Sequence, residues 1–220
     1  MNFDPRQVPV VATDTHLPPV PADRLRAAAL RERFQRPPAW QPEHRPEPRF
    51  VDRPPRHASV LLAVLQRPEP TLLLTQRSLH LPTHAGQIAF PGGKLDEDDA
   101  DAVSAALREA EEEVGLDPAG VEVLGHLPTY TTGTAFIITP VVALVSADAP
   151  LVPNPHEVDE LFEVPLAFLM NPTHHRRHHH WWDGRTHTWY SMPYADAGQE
   201  RFIWGATAGM LRNLYHFLSA

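Results

Sequence analysis

The stretch Gly92–Leu116, GGKLDEDDADAVSAALREAEEEVGL, decides how the rest of the chain is read. A glycine pair opens it, an acidic cluster follows, and a helix begins. Asp98, Asp99 and Asp101 place acceptor side chains and negative charge at the helix start. Val103, Ala106, Leu107, Ala110 and Val114 recur at helical spacing and form one apolar stripe. Gly115 is placed to end the helix. Glu109, Glu112 and Glu113 stand at i, i+3 and i+4 and share a face away from the stripe. That face is costly when nothing binds it. Glu109 and Glu113 are like charges one turn apart, close to the helix end where the macrodipole disfavours anions. A hard divalent cation removes both penalties, and carboxylate oxygens suit Mg²⁺, which is commonly bound together with substrate phosphates. The alternative is a solvated acidic face, which is the preferred reading for Glu111.

The same residues carry a family likeness. Arg108-Glu109-Ala110-Glu111-Glu112-Glu113-Val114-Gly115-Leu116 resembles the R-E-U-x-E-E-x-G-U core of the Nudix box, where U is apolar, and Gly93 matches the box's opening glycine. The resemblance implies hydrolysis of a nucleoside diphosphate linked to a further group, with Mg²⁺ or Mn²⁺ held by Glu109, Glu112 and Glu113. It also implies an α/β/α sandwich with a mixed sheet, the box being loop-helix-loop. The usual spacing is G-x5-E-x7-R-E. Here the acidic position after Gly93 is Asp99, and eight residues then precede Arg108. Asp99 is the expected brace of Arg108, with Glu97 as the alternative.

Upstream, Leu73-Leu74-Thr75-Gln76-Arg77-Ser78, then Gly86, then Phe90-Pro91-Gly92-Gly93 resembles the signature of the coenzyme A pyrophosphatase branch, LLTxR[SA]-x3-R-x3-G-x3-FPGG. Its second arginine is Pro82 here. Arg77 at a strand end offers a planar fork for phosphate, the alternative being a structural salt bridge. Gly86, Gly92 and Gly93 allow close approach of backbone to a ligand. Downstream, Asn154, Glu157, Val158, Pro165 and Leu166 fit the branch's N-x-x-E-V…P-L pattern, and Phe202–Ala208 its closing segment. Glu157, then Glu160, is the candidate for an extra metal ligand or base outside the box.

Composition narrows the class. The chain has 220 residues, a formal net charge of -8 and no cysteine. That excludes a disulfide framework, a thiolate metal site and a cysteine nucleophile. The negative charge disfavours polymeric nucleic acid as a partner, although local arginines can still hold a small phosphate-bearing nucleotide. No apolar run reaches the length of a membrane span, and the start has no signal-peptide pattern. A cytoplasmic protein acting on a small molecule, with a homodimer left open, is the expectation.

In chain order, residues 1–56 read as a proline-rich arm with a possible short helix over Asp23–Phe34, whose weak apolar side is Leu25, Ala28, Ala29 and Phe34. The proline-dense part, Arg36–Arg56, is an extended connection or, alternatively, a polyproline ligand. Residues 57–220 read as the catalytic domain, of α+β class because strands and helices do not alternate regularly. Ser59–Gln66 and Thr71–Gln76 form a buried hairpin, Leu79–Ile88 a loop, and Val121–Leu127 and Ala135–Ser146 strands, with Pro140 marking a bulge or break. Leu161–Met170 contains a short helix from Pro165, His187–Ser191 and Arg201–Trp204 are strands, and Ala206–Leu218 is the closing helix. Thr173–Trp182, THHRRHHHWW, reads as a basic loop that helps hold a phosphate, with Trp181 and Trp182 packed in the core.

The resemblance and the residues together imply a metal-dependent pyrophosphatase of coenzyme A or its derivatives, with Glu109 or Glu157 as proton acceptor. Its 3′-phosphate would sit on Arg77, helped by Arg176 or Arg177. The rivals are a Nudix hydrolase of ADP-ribose or another nucleotide and a non-catalytic nucleotide sensor.

Overall fold

A strand that carries no charged residue over Ala58–Leu65 must be covered on both faces, and the computed structural model covers it so. The structure describes residues 4–43, 51–52, 54–182, 184–196 and 198–220. Strand β2 (Arg56–Leu65) sends Leu61, Ala63 and Leu65 to one side, where they meet Ala106, Ala110 and Val114 of helix α2 (Ala102–Val114). Leu62 and Val64 point the other way, into a cluster with Leu211, Leu214 and Leu218 of helix α4 (Gly205–Ser219). The period-two alternation of a strand thus sets the layers: helix, sheet, helix.

β2 runs parallel to β8 (Phe136–Val145) along its full length, from Arg56 opposite Phe136 to Leu65 opposite Val145. β3 (Thr71–Arg77) is antiparallel to β2, but only Val64–Leu72 and Leu65–Thr71 pair. The expected hairpin therefore closes at its turn and then opens. β3 leaves to pair with β9 (Val158–Pro165), and β5 (Gly92–Lys94) takes the vacated edge of β2 at Ala58–Val60. This splay brings the two box glycines beside α2. β4 (Ile88–Ala89) flanks β3, and β6 (Val121–His126) and β7 (Tyr130–Thr131) flank β8, completing a mixed eight-stranded sheet.

Several expectations are corrected. Pro140 does not break β8. It lies where the antiparallel neighbour changes from β7, opposite Ile137 and Ile138, to β6, opposite Val141 onward, so its missing N–H is not required there. Val158–Pro165 is a strand preceding the short helix α3 (Leu166–Leu169), with Val158, Phe162 and Val164 buried on one face.

The histidine-rich segment is not a loop: Arg176–Trp182 is strand β10, paired with β11 (Arg185–Asp196). Together with β1 (Val10–Thr13) and β12 (Gln199–Trp204) it forms a second, antiparallel sheet in the order β1-β10-β11-β12. Trp181 is 68% exposed, against the core packing expected of it.

The N-terminal segment is not a separate arm over its described part, although the short helix expected over Asp23–Phe34 is present over Ala27–Gln35. Val20, Leu25 and Leu30 are buried in the same core as α4, and helix α1 (Ala27–Gln35) packs on β6. Leu30, not Ala28 or Ala29, is its inward residue. Phe34 and Trp40 tilt against Phe217, with centroids 4.8 and 5.3 Å away. Part of the proline-dense stretch, residues 44–50 and 53, lies outside the described residues. No helix among the described residues is long and apolar enough to cross a membrane.

Candidate active site

α2 begins with a reciprocal cap: the Ser104 N–H donates to Asp101 Oδ1 at 2.8 Å, and the Asp101 N–H donates to Ser104 Oγ at 2.9 Å. It ends at Gly115, whose φ of 66° is the left-handed conformation that glycine adopts without strain. Between these fixed ends, Glu109 and Glu113 face β5 across the splayed sheet. Both line a cavity of about 1140 Å³, together with Arg77, Gly92, Gly93 and Glu157.

Glu113 is the most enclosed of the acids, its side chain 2% exposed. It accepts from the Gly92 N–H at 3.1 Å and from Arg77 Nη1 at 3.1 Å. Burial dominates and pushes its carboxyl up to about 7, the charges of Glu109 and Glu157 adding to the effect and those two donors opposing it. Burial also raises Glu109, against the hydrogen bond from Arg108 Nη1 at 3.1 Å. Gly93 lies directly under Glu109: a Cβ there would stand 2.4 Å from the Glu109 carboxylate. A side chain at Gly93 would therefore displace the Glu109 carboxylate from this position.

Arg108 is a brace. Its Nε and Nη2 donate to the two Asp99 oxygens at 3.0 and 2.9 Å, and Nη2 also reaches the Lys94 carbonyl at 3.2 Å. This ties β5, the acidic loop and α2 together. The Arg108 guanidinium beside Asp99 holds that carboxyl below its usual range. Glu97, the alternative brace, is exposed.

Other expected residues are placed differently. Glu112 is not in the cavity wall; its side chain is 55% exposed and takes one long 3.4 Å contact from Arg108. Gly86 is also outside the wall. With φ of 68° it turns the loop so that its N–H donates to the Arg77 carbonyl at 3.0 Å, and so it positions Arg77. Glu157 faces the cavity with a single long contact, 3.5 Å from Asn154 Nδ2. Glu160 is engaged by Arg201 instead. Arg176 and Arg177 do not line the cavity, and Arg177 is held by Asp14 and Tyr190.

Sequence reasoning missed much of the polar wall, including Glu43, Tyr190 and Arg212. None of these three stands in a local pattern that would mark it. The rest of the wall is largely apolar and aromatic, with Phe90, Ile138, Trp189, Trp204 and Met210. As they stand, no three carboxylates or imidazoles among the described residues converge to metal-binding distance. The two innermost carboxylates are held instead by Arg77 and Arg108.

Residues 55–188, which contain the carboxylate wall, match the model of the NUDIX domain. The chain belongs to the Nudix hydrolase family. An uncharacterized Nudix hydrolase, NudL, of Escherichia coli K12 is 44% identical over 163 residues, covering 72% of this chain and 81% of that protein. NudL of Shigella boydii serotype 18 matches equally, at 44% over 163 residues, with 72% and 81% covered. Among solved structures, the Nudix hydrolase RenU of M. smegmatis is similar with a TM-score of 0.44 at 25% identity, over 52% of this chain and 73% of that one. Asp99, Arg108, Glu109 and Glu113 all fall within that match, with Arg108 bonded to Asp99 and Glu113 the more buried of the two glutamates.

Proposed function

We propose that this Nudix hydrolase is a divalent-metal-dependent pyrophosphatase that splits the diphosphate of coenzyme A or its derivatives. The products are adenosine 3′,5′-bisphosphate and a 4′-phosphopantetheine. The observation that carries the catalytic reading is Glu113, a carboxylate buried in a cavity wall with Glu109 and Glu157 near enough to raise its proton affinity. The substrate reading rests on LLTQRS, Gly86 and FPGG.

The residues fit a hard cation. Glu109, Glu113 and Glu157 offer only oxygen donors, and a positive charge relieves the repulsion that raises Glu113. Glu109 and Glu113 would hold Mg²⁺ or Mn²⁺, with Glu112 and Glu157 as the adjacent carboxylates. When bound, such an ion supplies an activated water and screens charge on the phosphoryl oxygens.

The protein's own groups do the rest. Asp99 fixes Arg108, and Arg108 fixes the Glu109 carboxylate over Gly93. Arg77 spends one N–H on Glu113 and keeps its remaining donors for the diphosphate oxygens. Glu157 is the less engaged of the two candidate proton acceptors: Glu109 accepts from Arg108, whereas Glu157 has only the long Asn154 contact. The apolar part of the wall suits the long, mostly uncharged pantetheine arm.

The test is kcat/KM for coenzyme A, dephospho-coenzyme A and ADP-ribose, each with Mg²⁺ and with Mn²⁺. Coenzyme A is expected to lead. If ADP-ribose is fastest by a wide margin, the substrate assignment fails.

A further inference from the structure

Glu43, Tyr190 and Arg212 line the same cavity and belong to a second polar cluster, completed by residues outside the wall, that no step of the proposed hydrolysis uses. Its centre is Arg212 on α4, whose side chain is 3% exposed. Two groups fix this guanidinium from behind. Nη2 reaches Asp14 Oδ2 at 2.8 Å, and Nη1 donates to His175 Nδ1 at 3.0 Å. His175 is a neutral imidazole: its Nε2 donates to the Leu169 carbonyl at 2.7 Å, and burial pushes it down to about 4. Its Nδ1 is therefore an acceptor.

The third Arg212 nitrogen, Nε, reaches forward to Glu43 Oε2 at 2.6 Å. Three more donors converge on the same carboxylate. The Tyr190 hydroxyl donates to Oε1 at 2.6 Å, His216 Nε2 lies 2.5 Å from Oε2, and Arg177 Nη2 lies 3.8 Å from Oε1. The Tyr190 ring also lies beneath both guanidiniums, 5.3 Å from Arg212 and 5.6 Å from Arg177.

With Glu43 in place, Arg177 and Arg212 are balanced by Asp14 and Glu43. Without it, two fixed cations face one carboxylate, and the Tyr190 and His216 donors have no acceptor in the cluster. A carboxylate has two oxygens for these donors. A phosphate monoester has three and carries up to two negative charges, so it satisfies the set more fully.

We infer that Arg212 and Tyr190 of this cavity, joined by His216 through the carboxylate they share, form a second anion site, held by the Glu43 carboxylate until a phosphate monoester of the ligand, remote from its diphosphate, replaces it. The inference rests on the coenzyme A reading for the identity of that phosphate. It moves the 3′-phosphate from Arg77, which is engaged with Glu113, to the Arg212 cluster. Glu43 then sets the selectivity: a ligand lacking the remote phosphate cannot displace it.

The experiment is calorimetric binding of adenosine 3′,5′-bisphosphate and of AMP to the full chain, comparing wild type, Glu43→Gln, His216→Gln and Tyr190→Phe. The readout is the affinity ratio of the two nucleotides, which does not depend on turnover. Wild type should prefer the bisphosphate. Glu43→Gln should widen the preference by about tenfold, since one competing charge is removed, and His216→Gln and Tyr190→Phe should narrow it. Tyr190→Phe keeps the ring beneath the guanidiniums, so it tests the donor without removing the packing. A ratio that is the same in all four proteins overturns the inference, whatever the enzyme hydrolyses. If the ratio shifts as stated but coenzyme A is not hydrolysed, the anion site stands and the coenzyme A reading falls.

Discussion

The box wall and the Arg212 cluster border one cavity but are assembled differently. Arg108 and Asp99 are nine positions apart, and Glu113 and Gly92 twenty-one. Arg212 and Glu43 are 169 apart, and Arg177 and Asp14 163. The first wall is encoded in one glycine-loop-helix unit, whose capping, apolar stripe and carboxylate face can each be read locally. The second exists only after the N-terminal segment, the second sheet and the last helix have docked. A local unit can be recognised by pattern, whereas a docked one has no pattern until the core is formed.

The comparison is sharpened most by Glu113→Gln, which changes the box wall's charge but little of its volume. Activity should fall by at least about a hundredfold with the fold retained. Rates on the standard substrate together with circular dichroism would check this. Wild-type turnover would remove Glu113 from the chemistry.

Leu30→Ala probes the docked region. Leu30 is 1% exposed in the core that joins α1 to α4, so its truncation should cost ~2–5 kcal/mol in thermal or urea unfolding. A loss under ~1 kcal/mol would restore the picture of residues 1–56 as a separable arm.

Asp99→Asn returns to the box. It weakens the Arg108 brace without touching an inward acid, and metal affinity or activity should drop roughly ten- to a hundredfold. Calorimetric titration with Mn²⁺ would measure it.

The smallest effect is on stability against pH. Glu113 has a folded pKa of about 7, above that of an unfolded carboxylate. Its contribution is fully present below the unfolded value and is lost as pH rises through about 7. The metal-free protein should therefore lose stability from this group between pH 5 and pH 8. Glu113→Gln should flatten that part of the profile in denaturant melts.

These contrasts also explain what could be read from sequence. β2, β8, α2 and α4 are apolar on faces with a clear period, and the structure contains them with shifts of a few residues at most. β9 was hidden because Asp159, Glu160 and Glu163 interrupt its apolar positions, and those charges are held by partners distant in sequence: Glu160 by Arg201 and Glu163 by Arg67. β10 was hidden because its inward contacts are not aliphatic. His178 stacks on Trp189 at 4.0 Å and bonds to Ser191, so a histidine run that looks basic is partly a buried strand face. At the candidate site, the box acids and Arg77 were legible by type. Their ranking was not: Glu113 is inside, Glu109 half-sheltered and Glu112 outside, because the pairing of β5 with β2 sets which side of the acidic face is covered.

In the proposed function the buried Glu113 wall serves hydrolysis of a diphosphate whose two halves the cavity can hold. The most direct measurement is mass analysis of the products when coenzyme A is incubated with Mg²⁺ and either wild-type protein or Glu113→Gln. Wild type should release adenosine 3′,5′-bisphosphate and 4′-phosphopantetheine in equal amounts, and the variant should release almost none. Intact coenzyme A after prolonged incubation with folded wild-type protein, or equal product from both proteins, would contradict the account.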